Sequence, residues 1–117
     1  MGQILITGTI LFSDDVVPFS GATAHVHLLD VSRMDAPHET IAEQQIKDIK
    51  YPSDERIGFS LKGSIKDERG MYIVSAHIDI DGDGQISIGD YITTSYYEVA
   101  TVGNTTDLNV KVYRVTS

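Results

Sequence analysis

The chain has 117 residues, of which 41% are hydrophobic, and this is enough for one folded domain with an apolar core. Its formal net charge of −8 disfavours a surface for nucleic acid or anionic membrane, because no basic stripe is available to replace counterions. It contains no cysteine, which excludes disulfides, thiolate metal sites, cysteine nucleophiles and a lipid-modified cysteine in this sequence.

The first part of the chain predicts strands separated by turns. Residues 3–12 are rich in β-branched and apolar side chains around Gly8, and the polar, proline- and glycine-containing segment 13–21 breaks the strand. Residues 22–31 alternate between two faces, which predicts a second strand. One face carries Ala22, Ala24, Val26 and Leu28, and the other carries Thr23, His25 and His27.

Residues 39–49 form the one ambiguous segment. Neither face of a strand here would be clearly apolar, because one face would carry Ile41, Glu43 and Gln45 and the other Ala42, Gln44 and Ile46. The helix propensities of these residues also allow a helical turn. We assign a strand, and the helical turn stays open as the alternative.

The second part of the chain predicts further strands at residues 57–62, 71–80, 91–99 and 108–115, and apolar positions alternate in all of them except 91–99. The number and spacing of the strands predict an all-β fold, an antiparallel immunoglobulin-like β-sandwich of about seven strands. We expect it to form a single domain over residues 1–117.

The most distinctive motif lies between the strands at 71–80 and 91–99. Residues 79–90 read DIDGDGQISIGD and match the EF-hand calcium loop, with aspartates at positions 1, 3 and 5, a glycine at position 6 where the loop turns sharply, and an aspartate at position 12. A hard cation needs about six to eight oxygen ligands, and this spacing can supply them. The predicted Ca²⁺ ligands are the side chains of Asp79, Asp81, Asp83 and Asp90, the backbone carbonyl of Gln85, and Ser87 through a water molecule.

Two features of this loop differ from an EF-hand. It closes with Asp90, one methylene shorter than the usual glutamate, and its flanks are predicted strands where an EF-hand has helices. The loop resembles the single calcium loops of dockerin-like modules more than a paired sensor EF-hand. The alternative is an acidic hairpin turn without an ion, since Asp-Gly is a favoured turn pair.

Three histidines lie on predicted outward faces. His25 and His27 share one strand face, and His77 lies outward on another strand. If the two strands are neighbours, the imidazoles could meet in a zinc site. The alternative is a solvated sheet face without a metal.

Catalytic motifs are missing from the sequence. No G-x-S-x-G places a nucleophile on a strained turn, and no glycine-rich loop is suited to a phosphate. We assign the paired carboxylates as calcium ligands in preference to catalytic acid and base groups. We therefore expect that the protein is not an enzyme.

Several segments resemble a known family. They are ITGTI at residues 6–10, AHVHLLDVS at 24–32, DAP at 35–37 and IAEQ at 41–44, followed by the strand–turn–strand pattern around residues 59–61 and 72–74. In this order they resemble the bacterial YbaY/YscW-type lipoprotein domain, over roughly residues 3–100. The resemblance implies a β-sandwich and favours a strand at 41–46.

The resemblance also implies a function without catalysis. In the type III secretion branch of the family, the role is that of a pilotin, a lipoprotein that binds a secretin tail and guides its assembly in the outer membrane. It implies the cell envelope or periplasm, although this sequence shows neither a signal peptide nor a lipobox cysteine. No apolar run approaches the roughly 20 residues of a membrane span, so we expect no direct membrane insertion by this chain.

The predicted function is a non-enzymatic, assembly-assisting module that binds a protein or peptide and carries one Ca²⁺ in a strand–loop–strand tip. The alternative is a calcium-stabilised structural or adhesion domain with no dedicated partner. A partner strand could add to an exposed sheet edge. Since chain termini commonly lie at edges, residues 3–12 and 108–115 are the predicted edges, and Val110→Pro would weaken capture of the partner.

Overall fold

All regular structure in the described part of the chain is β-strand. A computed structural model describes residues 2–32, 37–65, 69–95, 97–99 and 105–116. Asp35 and Ala36, which belong to the family resemblance, lie outside these residues. The strands are β1 (Gly2–Phe12), β2 (Phe19–Asp30), β3 (Glu39–Tyr51), β4 (Arg56–Ile65), β5 (Tyr72–Asp79), β6 (Tyr91–Thr93), β7 (Tyr97–Glu98) and β8 (Thr105–Arg114). The all-β prediction is confirmed.

The strands form one mixed sheet and not the antiparallel immunoglobulin-like sandwich that the sequence predicted. Its order is β3-β2-β5-β6-β8-β1-β4, and the short strand β7 also pairs with β5. β1 and β8 run parallel, with Gly8 opposite Leu108 and Ile10 opposite Val110, whereas the other pairs are antiparallel. Alternation predicts that one face of each strand is buried, which holds equally for a sandwich and for a sheet rolled on itself.

The sheet is rolled into a nearly closed barrel. Its two end strands, β3 and β4, approach each other: the backbone N–H of Ser60 donates to Gln44 Oε1 at 2.8 Å, and a side chain at Gly63 would come within 3.0 Å of Ile41 Cγ2. Long strands twist and coil strongly, so a single sheet of this length can enclose its own core.

The core is built from the inward positions of most strands. The predicted inward residues of β2 (Ala22, Ala24, Val26 and Leu28) are fully buried, and Tyr72, Val74, Ala76 and Ile78 of β5 are buried beside them. Opposite them lie Ile6 and Ile10 of β1, Phe59 and Leu61 of β4, and Val110 and Val112 of β8. The faces predicted from alternation are therefore confirmed.

The segment with poor alternation is a strand with bulges. Opposite β2, strand β3 carries an extra residue between Ile46 and Ile49, where Asp48 takes a positive φ of 60°, and another between Thr40 and Ala42. Each extra residue shifts the inward parity by one position. The bulges change the parity at both ends of residues 42–46, and within that stretch Gln44 is a polar residue on the inward face opposite Val26, so neither parity of 39–49 is apolar throughout. The helical alternative is wrong.

Gly8 of β1 occupies a position that has no room for a side chain. A Cβ atom there would overlap the carbonyl oxygen of Leu108 on β8 and the ring of Phe59 on β4. The missing side chain thus lets the Phe59 ring cover the β1 backbone in the core. Among the described residues, no helix is long and apolar enough to cross a membrane.

Candidate functional site

The acidic loop at residues 80–90 connects β5 to β6 and is held at both ends. Gly82, Gly84 and Gly89 have positive φ values of 75°, 77° and 98°, which lets the chain turn tightly. At its C-terminal end, Gly89 N–H donates to Val115 O at 2.9 Å, and Val115 N–H donates to Asp90 O at 2.8 Å. The turn predicted at Gly84 is present, and the flanks are strands as predicted.

The structure brings the four predicted aspartates together. One carboxylate oxygen from each of Asp79, Asp81, Asp83 and Asp90 lies within 4.8 Å of the others. Asp79 and Asp90 are buried, whereas Asp81 and Asp83 are exposed. The loop therefore places two carboxylates at its base and two at its rim.

The other two predicted ligands lie on the same loop. The Ser87 hydroxyl donates to Asp83 Oδ2 at 3.1 Å and to the Gln85 carbonyl oxygen at 3.4 Å. The backbone N–H of Gln85 donates to Asp83 Oδ1 at 2.9 Å. These hydrogen bonds connect the predicted ligand residues to one another at the rim of the loop.

Backbone donors already occupy much of the carboxylate capacity. Asp79 accepts from Gly82 N–H at 3.0 Å and Gly84 N–H at 2.8 Å, and Asp90 accepts from Ile80 N–H at 2.9 Å and Ser87 N–H at 3.1 Å. Each carboxylate oxygen has two lone-pair positions, and Asp79 also shares a hydrogen bond with the Asp81 carboxyl group, so these three bonds leave it one free position.

Asp90 has a partner that sequence reasoning missed. His77 Nε2 lies 2.8 Å from Asp90 Oδ2, so that oxygen already carries two hydrogen bonds and only Oδ1 has room for a cation. The pair is mostly buried, with His77 at 13% and Asp90 at 1% side-chain exposure. Asp90 is therefore first of all a buried structural acceptor. The sequence offered one signal, since an outward histidine at the end of β5 directly precedes the acidic loop.

The exposed rim aspartates differ in their protonation behaviour. A hydrogen bond with the Asp79 carboxyl group raises the pKa of Asp81. Burial would raise the pKa of Asp79, but hydrogen bonds from Gly84 and Gly82 and the contact with Asp81 lower it overall. The backbone N–H of Gln85 lowers the pKa of Asp83. Asp81 is thus the first of these three to take up a proton as the pH falls, because its protonated form donates a hydrogen bond to the Asp79 carboxylate.

The histidines do not form a three-imidazole metal group in the described residues. His25 and His77 are cross-strand neighbours on β2 and β5, with ring centroids 5.8 Å apart and nearly parallel planes. His27 lies beside Glu43 of β3, with Nε2 3.1 Å from Oε2. The predicted adjacency of the two strands is present, but His77 and His27 each have a carboxylate partner.

The sheet edges are not those that the sequence predicted. β1 pairs with both β4 and β8, and β8 pairs with both β1 and β6, so neither is an edge. The end strands are β3 and β4, and across the described residues no backbone ladder joins them. We call the line along which these two strands meet the β3–β4 seam.

The seam leaves one backbone donor of β4 without a backbone acceptor. Ser60 N–H points across it and is satisfied by the Gln44 side chain and not by a backbone carbonyl. Because backbone groups repeat with a period of two along a strand, Gly58 and Lys62 point their backbone groups the same way. Such an edge can accept a partner chain.

The chain resembles a known protein family and a solved structure. The family described as type III secretion system lipoprotein chaperone (YscW) matches residues 2–112. The structure of an alternative pilotin from the type II secretion system of Vibrio cholerae matches with a TM-score of 0.75 and 26% sequence identity, covering 99% of this chain and 100% of that chain. No curated protein matches the chain.

Proposed function

Because the chain belongs to the family of type III secretion system lipoprotein chaperones (YscW), we propose that it is a pilotin-like protein of the bacterial envelope that assists assembly without catalysis. Its partner is a secretin subunit. The observation that carries this proposal is the family match over residues 2–112, supported by the fold that the chain shares with a pilotin over 99% of its length.

The β3–β4 seam supports a way in which a partner could bind. An extended segment that displaces β3 from the seam would pair with β4 and offer a backbone carbonyl to Ser60 N–H in place of the Gln44 amide oxygen. Backbone pairing supplies affinity, and the outward side chains beside the seam supply selectivity. The partner segment would thereby complete the rolled sheet.

Two substitutions test the seam with a C-terminal secretin segment as the probe. Ser60→Pro removes the N–H that points across the seam, and we expect it to weaken binding about tenfold, as the loss of one hydrogen bond in a dry interface does. Gln44→Ala removes the internal competitor for the same N–H, and we expect binding that is as strong or stronger. Biolayer interferometry measures both.

Circular dichroism of each variant checks that the fold is intact, since proline is tolerated on edge strands. If the unmodified chain does not capture any secretin segment, the proposed function is wrong. If it does capture one and Ser60→Pro binds equally well, the partner lies elsewhere on the surface.

A second candidate role is a calcium-stabilised domain. We propose that one Ca²⁺ is held by the carboxylates of Asp79, Asp81, Asp83 and Asp90, with the Gln85 carbonyl and a water on Ser87. The proximity of the four carboxylates supports this, as do the lone-pair positions that remain free on them. A cation would also offset the mutual repulsion of these neighbouring carboxylates.

Calorimetry tests the ion. After chelation, Ca²⁺ is expected to bind with a dissociation constant on the order of 10⁻⁵–10⁻³ M, whereas Mg²⁺ competes poorly because it keeps its waters. At 100 times the dissociation constant, Ca²⁺ adds about 2.7 kcal/mol to the free energy of unfolding if it binds only the folded state. Asp81→Ala is expected to abolish this increment and to leave the metal-free protein folded. A melting temperature that is the same in EDTA and in Ca²⁺ would remove the ion from the proposal.

A further inference from the structure

A cleft near the turn between β3 and β4 carries a positive charge that contrasts with the rest of the molecule. Its volume is about 330 Å³, and it is lined by Leu11, Phe12, Tyr51, Glu55, Arg56 and Lys111. The whole chain has a net charge of −8, yet this cleft holds two cations and one carboxylate. The local excess of positive charge favours an anionic ligand.

The strand register places the two cations on either side of one leucine. Leu11 on β1 pairs with Arg56 on β4 and with Lys111 on β8, so the three side chains share one face of three neighbouring strands. Neighbouring strands lie about 4.8 Å apart, so the two cationic side chains are anchored about 10 Å apart with the leucine between them. A ligand that lies on Leu11 is within reach of both.

Neither cation has a carboxylate partner among the described residues. The ion pairs His27–Glu43 and His77–Asp90 involve neither of them. Lys111 Nζ instead lies 5.8 Å from the centroid of the exposed Tyr113 ring. In a chain with 17 acidic and 9 basic residues, two adjacent cations without an acidic partner are available for a ligand.

Besides the two cations and Glu55, the cleft is lined by Leu11 and by the rings of Phe12 and Tyr51. The rings of Phe12 and Tyr51 meet edge to face with centroids 5.2 Å apart, and Phe12 also packs against Tyr91 in the core. The cleft therefore offers an aromatic wall, a leucine floor and two cations. This combination fits a carboxylate beside an apolar side chain, since arginine binds carboxylates through paired hydrogen bonds.

We propose that this cleft, which we call the Arg56–Lys111 cleft, binds a carboxylate of the partner peptide together with the apolar side chain next to it. The inference rests on the proposed function for the identity of the partner as a protein. The cleft lies at the end of the seam, since Tyr51 ends β3 and Arg56 begins β4. A segment bound in the seam would reach it with one end.

The probe is N-acetyl-leucine, which carries a carboxylate beside an aliphatic side chain, with N-acetyl-leucinamide as the neutral control of the same shape. In ¹⁵N–¹H correlation spectra of the full chain, N-acetyl-leucine is expected to shift the amide signals of Leu11, Arg56 and Lys111, and N-acetyl-leucinamide is not. Equal binding of the two would overturn the proposal. Inorganic phosphate is the third probe, and equally strong binding of phosphate would show a simple anion site and overturn the apolar part.

Variants assign the effect to the two cations. Arg56→Gln and Lys111→Gln are each expected to weaken binding of N-acetyl-leucine about tenfold, because each removes a charge-assisted contact. Glu55→Gln removes the opposing charge in the cleft and is expected to strengthen binding. Lys62→Gln, at an exposed cation of β4 outside the cleft, is the matched control and is expected to change nothing. Unchanged affinity in both cleft variants would refute the assignment.

These outcomes separate the cleft from the proposed function. Binding of N-acetyl-leucine without capture of any secretin segment would support the proposed cleft and refute the secretin as the partner. Capture of a secretin segment with unchanged affinity in Arg56→Gln and Lys111→Gln would support the proposed function and refute the cleft.

Discussion

Val110→Pro is expected to unfold the protein. Val110 is fully buried on β8, which lies between β6 and β1 in the middle of the sheet. The N–H of Lys111 donates to the Tyr97 hydroxyl on one side of the strand, so the N–H of Val110 points to the other side, toward β1. Proline removes this ladder hydrogen bond and the valine side chain from the core, at a cost of about 3 kcal/mol or more.

Thermal unfolding followed by circular dichroism measures this effect. Ser60→Pro is the matched control, because its N–H bonds a side chain across the seam and not a neighbouring strand. We expect Ser60→Pro to unfold in a cooperative transition on heating. We expect Val110→Pro to be unfolded already at room temperature and to show no transition. A folded Val110→Pro variant would mean that β8 is not an interior strand, and the strand order would then need revision.

Asp90→Ala is expected to destabilise the metal-free protein by about 2–5 kcal/mol, because removing the carboxylate leaves buried donors without an acceptor. Ile80 N–H, Ser87 N–H and the His77 ring all bond this side chain, which is 1% exposed. The end of the acidic loop also lies against Val115 near the C-terminus. The loss would therefore loosen the junction of β5, β6 and the end of β8.

Chemical denaturation in EDTA measures the structural part of this effect without any contribution from an ion. Asp90→Asn keeps one acceptor oxygen and is expected to fall between the alanine variant and the unmodified chain. Asp81→Ala, at the exposed rim of the same loop, is expected to leave the midpoint of unfolding in EDTA nearly unchanged. Equal effects of Asp90→Ala and Asp81→Ala would refute the structural role of Asp90.

The sequence by itself determined which residues lie inside each strand. Side chains alternate with a period of two, so the apolar sets of β2, β4, β5 and β8 were predicted from local pattern alone and are buried in the structure. It also predicted the turn at Gly84 of the acidic loop, where the glycine takes the positive φ that the turn needs. The order of its segments likewise pointed to the family that the comparison shows.

Only the tertiary structure decided how the strands combine. A local pattern carries no information on pairing between residues about a hundred positions apart, such as the parallel contact of Ile10 with Val110. That contact makes β1 and β8 interior strands and leaves β3 and β4 as the edges, which reverses the prediction from the chain termini. The bulges of β3 hid its parity, since each extra residue exchanges the two faces.

The same holds for the candidate sites. The contact of His77 with Asp90 and the position of Arg56 and Lys111 on either side of Leu11 depend on which strands are neighbours. Spacing along the chain could bring four aspartates to one loop, because that loop is short and local. It could not assemble a cleft from four strands, because strand order is set by the burial of the whole sheet and not by any one segment.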